Sequence, residues 1–197
     1  MAIRTPNEPN GAREAITRAI PPLFAGGTGT GPLPPIEGDA GAALESAAPH
    51  PVFVVGLHTV AQGRLLTGAR QLGWRYLLLQ GENAVATITL QRDAETEEFV
   101  FSHLTRGPYV AATVEGIDVA EHRPEIEEDD FELRLLDVPA VSLRTIWLHG
   151  ETADLLIPLA PAPAPIEAHR VYREEELLDS LRRLAGRWTG RADDAGG

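Results

Sequence analysis

The clearest run of apolar positions begins at residue 51. β-Branched and aromatic residues in PVFVVGL, residues 51–57, predict a buried strand. Apolar residues spaced four, four and three positions apart, from Ala61 to Leu72, predict a helix over His58–Leu72 that ends at Gly73. WRYLLL and AVATITLQ then read as two strands joined by a polar turn. We therefore expect a strand, a helix and two strands in the first half of the core.

The second half repeats this order of elements. EFVFSHL predicts a strand with Phe99 and Phe101 on one face, and Pro108 suits the first turn of a helix that runs to about Glu121. FELRLLDV, VSLRTIWLH and DLLIPLA predict three more strands, and EEELLDSLRRLAG predicts a helix that ends at Gly186. The apolar stripes expected on these two helices are Val110, Val114 and Ile117, and Leu177, Leu181 and Leu184.

The pattern predicts an α+β fold with one or more mostly antiparallel sheets, two β-α-β-β-like halves and a C-terminal helix. Residues 1–50 form a predicted lead-in with two short helices, one after Asn10 that stops at Pro21 and Pro22 and one capped by Asp39 that runs through Ala47. Gly and Pro hold half of the stretch LFAGGTGTGPLPPIEG, which indicates a flexible linker. Within it, prolines follow GGTGTG where a phosphate loop needs a helix. We expect a single domain over 51–187 and a disordered tail over 188–197.

Composition excludes several kinds of chemistry. The chain has no Cys, and all of its 17 basic residues are Arg. The absence of Lys excludes a Schiff-base lysine and the lysine of a phosphate-binding loop. The absence of Cys excludes thiolate nucleophiles, disulfides and cysteine metal sites. No apolar stretch approaches the length of a membrane helix and the N-terminus lacks a signal-peptide pattern, so we expect a cytoplasmic protein without a membrane partner.

Candidate catalytic residues are few and scattered. None of the four serines lies in a G-x-S-x-G motif, and Ser102 and His103 should point to opposite faces of a strand and fail to pair. The six histidines form no local metal motif, although His58, His103 and His149 could meet in space with a carboxylate. His149 and Glu151 are the best local pair. We predict no cofactor, metal or catalytic residue, and a metal- or carboxylate-dependent hydrolase is the least favoured alternative.

The net charge of −12 is concentrated in one part of the chain. Ten acids and two arginines between residues 115 and 137 contribute −8 of that total, which argues against a nucleic-acid partner. The plain interpretation is a solvated surface, and the functional interpretation is a docking patch for a basic protein. Trp188, between two arginines, is a second candidate contact. The predicted partner-binding residues are Glu125, Glu127, Glu128, Asp129, Asp130 and Trp188.

Two interpretations of function follow from these patterns. The first, which we favour because catalytic motifs are missing, is a non-catalytic interaction or adaptor protein that binds a basic partner through its acidic surface and flexible ends. The alternative is a small-molecule-binding α+β domain that uses Trp74, Tyr76 and Trp147 to hold a small cationic or apolar ligand. We also expect a homodimer, because exposed sheet edges tend to be paired or covered.

Overall fold

The computed structural model describes residues 2–24, 44–123, 126 and 130–193. Helices lie between groups of strands along these residues, and the sheet is mostly antiparallel, so the predicted α+β class with a C-terminal helix is confirmed. The strands are β1 (Ala2–Arg4), β2 (Leu44–Val54), β3 (Arg70–Gln80), β4 (Asn83–Arg92), β5 (Phe99–Thr105), β6 (Asp130–Val138), β7 (Leu143–His149), β8 (Asp154–Pro158) and β9 (Tyr172–Arg173). The helices are α1 (Ala12–Phe24), α2 (Leu57–Ala61), α3 (Pro108–Glu121) and α4 (Glu174–Asp193).

The described strands are hydrogen-bonded in the order β5-β4-β3-β2-β6-β7-β8-β9, and β1 also pairs with β6. Each hairpin neighbour is antiparallel, as short turns require. Strands β1 and β2 are instead both parallel to β6, at Asp130–Glu132 and Leu135–Asp137 respectively. Because β7 occupies one edge of β6, β1 and β2 follow each other along its other edge.

The chain forms two compact units. The larger unit holds Met1–Arg4, Val52–Gln71 and Ala112–Gly197, and the smaller unit holds Thr5–Pro51 and Leu72–Ala111. This grouping breaks the chain between Pro51 and Val52, beside the boundary expected at residue 51, and it places α1 with β4, β5 and most of β3. Helix α4 continues through residues 188–193, which the sequence analysis assigned to the tail. That residues 51–187 form a single domain stays a prediction.

The core of the smaller unit lies between α1 and one face of its strands. Alternate residues of β3, namely Trp74, Tyr76 and Leu78, are buried against Ala12 and Ile16 of α1. Phe99 and Phe101 pack against the same cluster, which confirms the prediction that they share a face. The other members of this core are Ala15, Ala86, Ile88 and Leu90. The predicted lead-in helix therefore supplies core residues of this unit.

In the larger unit, residues of β6, β7 and β8 are buried on both faces of the sheet. Odd-numbered residues of β6, such as Leu133 and Leu135, belong to one apolar cluster that includes Ala112 and Ala120 of α3. Even-numbered residues, such as Leu136, belong to a second cluster with α2 and α4. The predicted α4 stripe is confirmed, since Leu177, Leu181 and Leu184 are all buried in that second cluster. Burial on both faces explains the apolar runs Leu135–Leu136 in β6 and Leu155–Ile157 in β8.

The predicted helix over His58–Leu72 is wrong beyond its first turns. Helix α2 ends at Ala61, and Gly63 adopts a left-handed φ of +82°, which interrupts a right-handed helix. A side chain at Gly68 would lie 2.2 Å from Thr59 Cγ2, so the chain turns back tightly here. Gly73 is a residue of β3 and not a helix cap. The spacing of apolar residues was helical only by coincidence.

Two predicted helix ends are also wrong. Helix α4 passes through Gly186, and α1 runs to Phe24, beyond the prolines expected to stop it. A glycine inside a helix costs only about 1 kcal/mol relative to alanine. That small cost lets the helix continue through Gly186. The lead-in helix expected from Asp39 through Ala47 is also wrong where the structure describes it, because strand β2 begins at Leu44. The Gly/Pro-rich stretch between α1 and β2 lies outside the described residues.

Candidate functional site

Helix α3 presents an acidic outer face. Glu115, Asp118 and Glu121 are exposed at spacings of three, which places them on one side of the helix. Val114 lies beside them and is 40% exposed, an unusual fraction for a large apolar residue of this chain. We refer to Val114, Glu115, Asp118 and Glu121 as the acidic face.

The predicted apolar stripe of α3 is wrong at Val114 only. Val110 is buried and Ile117 packs against the apolar cluster as predicted, and the helix also buries Ala112, Thr113 and Ala120. Gly116 explains this choice, because an added Cβ there would lie 2.5 Å from Leu159 Cδ2 and 3.2 Å from Ile146 Cγ1. The side with the small residues allows the closest approach to the sheet, so the helix is turned with Val114 outward.

Two histidines border the acidic face. The ring nitrogen Nδ1 of His122 lies 2.8 Å from the backbone oxygen of Asp118 and 3.3 Å from its carboxylate. The hydrogen bond to the backbone and the charge of Asp118 raise the pKa of His122. His169 Nε2 lies 3.8 Å from the Glu115 carboxylate. Both histidines therefore interact with carboxylates of the acidic face.

The structure describes only part of the predicted partner-binding set. Glu125, Glu127, Glu128 and Asp129 lie outside the described residues. Asp130 is exposed and opens β6, where it is paired in register with Ala2. Trp188 belongs to α4, but its side chain lies outside the described part of the chain. Partner binding by these residues stays a prediction.

The three predicted ligand-binding aromatics are buried. Trp74 and Tyr76 lie side by side in the core of the smaller unit, where they pack with residues of α1 and β4. Burial raises the pKa of the Tyr76 hydroxyl, which has no hydrogen-bond partner among the described residues. Trp147 belongs to the α4-side core of the larger unit. Ligand binding by these three residues stays a prediction.

Trp147 is part of a polar cluster at the edge of that core. Its indole Nε1–H donates to Asp154 Oδ1 at 2.7 Å, and His149 Nδ1 lies 2.7 Å from the same oxygen. Arg134 stacks over the Trp147 ring at 4.8 Å and over the Phe53 ring at 5.4 Å. Antiparallel register explains the arrangement, since Arg134 is opposite Trp147 and His149 is opposite Asp154.

The partner of His149 is therefore Asp154 and not the predicted Glu151, which is exposed in the β7–β8 turn. A carboxylate that fixes one ring nitrogen leaves the other directed outward as a proton acceptor or ligand atom. Sequence spacing alone missed Asp154 because the pairing depends on the length of the turn between the two strands.

Ser102 and His103 do form a pair, contrary to the prediction. Ser102 Oγ lies 3.2 Å from His103 Nδ1. Strand register explains the error: Thr89 is opposite His103 and Leu90 is opposite Phe101, so Ser102 is the extra residue of a β-bulge. A bulge breaks the alternation of faces, and it brings these two successive side chains to the same side. In the same unit, Arg75 Nε donates to Thr89 Oγ1 at 3.1 Å.

The histidines considered for a metal site do not assemble one in the part of the chain that the structure describes. Across residues 2–24, 44–123, 126 and 130–193, no three His, Asp or Glu side chains are grouped as metal ligands. His58 pairs instead with Gln62, whose Nε2 lies 2.8 Å from His58 Nε2.

A cleft of about 510 Å³ is lined by residues of the loop before β9 and by Arg123, which lies just after helix α3. His169 has a left-handed φ of +61°, which is strained for a residue with a side chain. Arg170 stacks on Tyr172 at 4.7 Å and lies 3.6 Å from Glu167. The lining residues are Arg123, Glu167, Ala168, His169, Arg170 and Val171.

Comparison with known proteins adds no functional information. No family model matches the chain, and neither the curated proteins nor the solved structures contain a significant match to it. Among the described residues, no helix is both long and apolar enough to cross a membrane.

Proposed function

We propose that this protein is a non-catalytic interaction or adaptor protein that docks a basic protein partner on the acidic face of α3. The observation that supports this proposal is the exposure of Val114 within a row of three carboxylates. An apolar side chain surrounded by one sign of charge offers both burial and charge complementarity to a partner.

The acidic face also fits the distribution of charge along the sequence. The segment from residue 115 to residue 137 carries −8 of the net −12, and α3 supplies its first three acids. Arginine or lysine side chains of a partner would gain attraction from all of them, and most at low ionic strength. We propose that residues 125–130 and Trp188, which the sequence predicts to bind the partner, belong to the same interaction surface.

The test compares two variants of equal charge. The triple variant Glu115→Gln/Asp118→Asn/Glu121→Gln neutralises the acidic face, and Glu151→Gln/Glu175→Gln/Asp179→Asn neutralises three exposed acids elsewhere in the larger unit. Calorimetric titration with a synthetic amphipathic Arg/Leu peptide should show binding by the wild type and the control. We expect the α3 variant to lose about tenfold or more in affinity.

Equal binding by the two triple variants would show that general charge, and not this face, attracts the peptide. Loss of Val114 separates the apolar contribution, because Val114→Ser leaves every carboxylate in place. We expect Val114→Ser to weaken binding at high salt as well as at low salt.

The cleft beside His169 favours a second candidate function, a small-molecule-binding domain. Two arginines and a histidine in a strained backbone conformation line a space that suits a small ligand. These side chains suit an anionic group better than the cationic ligand expected from the sequence. A rise in melting temperature with phosphate or a short dicarboxylate, lost in Arg170→Gln, would support it, and an unchanged melting temperature would exclude it for those probes.

We further propose that the protein is a cytoplasmic homodimer. Support for the homodimer comes from the strand at the end of the sheet order, which no described strand covers. Sedimentation measurements at increasing protein concentration test this assembly directly.

A further inference from the structure

Strand β5 lies at one end of the hydrogen-bonded strand order. Its pairing with β4 uses one edge, from Phe99 opposite Arg92 to Thr105 opposite Thr87. No strand among the described residues pairs with its other edge. The backbone N–H and C=O groups of an open edge can form a ladder with another strand.

The sequence of β5, FVFSHLT, lacks the charged residues and the proline that commonly protect an edge strand. It contains no Asp, Glu, Arg or Pro, whereas charged residues make up 23% of the chain. Val100 is 39% exposed, and β-branched and aromatic residues favour strand pairing. The one irregularity is the bulge at Ser102, which leaves Phe99–Phe101 as the regular stretch.

We propose that β5 is a self-association edge, on which a second copy of this chain pairs antiparallel about a two-fold axis at Val100. This inference rests on the proposed homodimer and is independent of the acidic face. Antiparallel pairing about that axis makes the two Val100 side chains direct neighbours and buries both.

A second copy is the occupant that the charges favour. The net charge of −12 opposes self-association through acidic surfaces, whereas β5 is a seven-residue strand without an acidic side chain. A basic partner would gain no attraction from this strand, whereas it would from the acidic face of α3. Two-fold symmetry is also the commonest arrangement of homodimers, and it uses the same strand on both copies.

Analytical ultracentrifugation tests the edge with two matched substitutions. Val100 and Val114 are 39% and 40% exposed, so Val100→Lys and Val114→Lys add the same charge at equally exposed valines. We expect the wild type and Val114→Lys to dimerise in the micromolar range and Val100→Lys to remain monomeric. Circular dichroism of each variant confirms that it is folded.

The absence of cysteine from the chain provides a second test that does not depend on loss of a dimer. Under mild oxidation, Val100→Cys should form a disulfide-linked dimer at least tenfold faster than Val114→Cys, because neighbouring cross-strand residues are close enough for a disulfide.

The outcomes separate the two proposals. A wild type that is monomeric at every concentration overturns both the homodimer and the β5 edge. If the wild type and Val100→Lys each form dimers, or if the two cysteine variants cross-link equally fast, the β5 edge is overturned and the proposed homodimer stands.

Discussion

His50 is a fully buried histidine in the smaller unit. Burial lowers the pKa of its ring to about 4 from an ordinary value of 6.5; the backbone oxygen of Ala48 opposes this effect, and the charge of Arg75 adds to it. The folded protein therefore holds His50 neutral, while the unfolded chain binds a proton below pH 6.5. Its contribution to stability is complete above pH 6.5 and is lost as the pH falls towards 4.

We predict that His50→Asn removes part of the acid sensitivity of the fold. Between pH 7 and pH 4.5, the wild type should lose about 2 to 3 kcal/mol more unfolding free energy than the variant, because each pKa unit corresponds to about 1.4 kcal/mol. Urea titrations at the two pH values measure this difference. Parallel losses in the two proteins would show that His50 is not the responsible group.

Asp154 is a second residue whose effect can be isolated. Asp154→Ala removes the acceptor of the buried Trp147 indole N–H and the partner of His149. An unsatisfied buried donor costs about 1 to 3 kcal/mol, and we expect unfolding free energy to fall by that amount. Glu151→Ala in the same turn should change it by less than about 0.5 kcal/mol. A larger loss for Glu151→Ala than for Asp154→Ala would contradict the His149–Asp154 pair and favour the His149–Glu151 pair predicted from the sequence.

At the scale of single residues, the sequence predicted which side chains were candidates for a polar site, but it did not predict which of them would pair. The sequence identified His149 and Trp147 as candidates, yet Asp154 joins them only because β7 and β8 pair in one particular register. Ser102 and His103 were separated by the rule of alternating faces, and a single bulge reverses that rule. Register and bulges depend on the partner strand, which a local pattern does not contain.

Two glycines, one in strand β3 and one in helix α4, differ in how much space surrounds the position of a side chain. In β3, a Cβ on Gly73 would lie 2.0 Å from the carbonyl oxygen of Leu90, a backbone atom held by the neighbouring strand. In α4, a Cβ on Gly186 would meet no atom of the described residues within 4 Å. The sequence analysis treated both glycines as helix ends, and the structure places both inside regular elements.

We predict opposite effects of alanine at these two glycines. Gly73→Ala should lower the unfolding free energy by about 3 kcal/mol, because a backbone clash cannot relax as an overpacked side chain can. Gly186→Ala should raise it by up to about 1 kcal/mol through helix propensity. Thermal unfolding followed by circular dichroism gives both values. A stable Gly73→Ala protein would contradict the close approach of β3 and β4.

At the level of elements, apolar patterns that bury several residues on one side were predicted well, and a pattern interrupted by glycines was not. The stripe of α4 and the shared face of Phe99 and Phe101 were correct, because each buries several residues on one side. The helix expected over His58–Leu72 failed because its stripe was sparse and interrupted by Gly63 and Gly68. One member of the predicted α3 stripe, Val114, was wrong because close packing favoured Gly116 and the small residues over it.

On the scale of the whole molecule, the net negative charge favours the proposed binding of a basic partner and opposes the proposed self-association. We predict that raising the salt concentration from about 0.05 M to about 0.5 M weakens binding of the basic peptide and strengthens self-association, since screening removes attraction in one case and repulsion in the other. Titration calorimetry and sedimentation of the same protein preparation measure the two effects. Self-association that weakens with salt would show that charges, and not the neutral β5 edge, hold the copies together.

The sequence by itself determined the α+β class, the mostly antiparallel strands, the C-terminal helix and the concentration of acid on one segment, because these depend on local periodicity and composition. The tertiary structure alone decided that helix α1 of the lead-in packs with β3 and β4, that Val114 faces outward, and that His149 meets Asp154. Each of these depends on which distant surface a residue meets. Close approach at glycine, strand register and a single bulge select that surface, and none of them leaves a periodic signal along the chain.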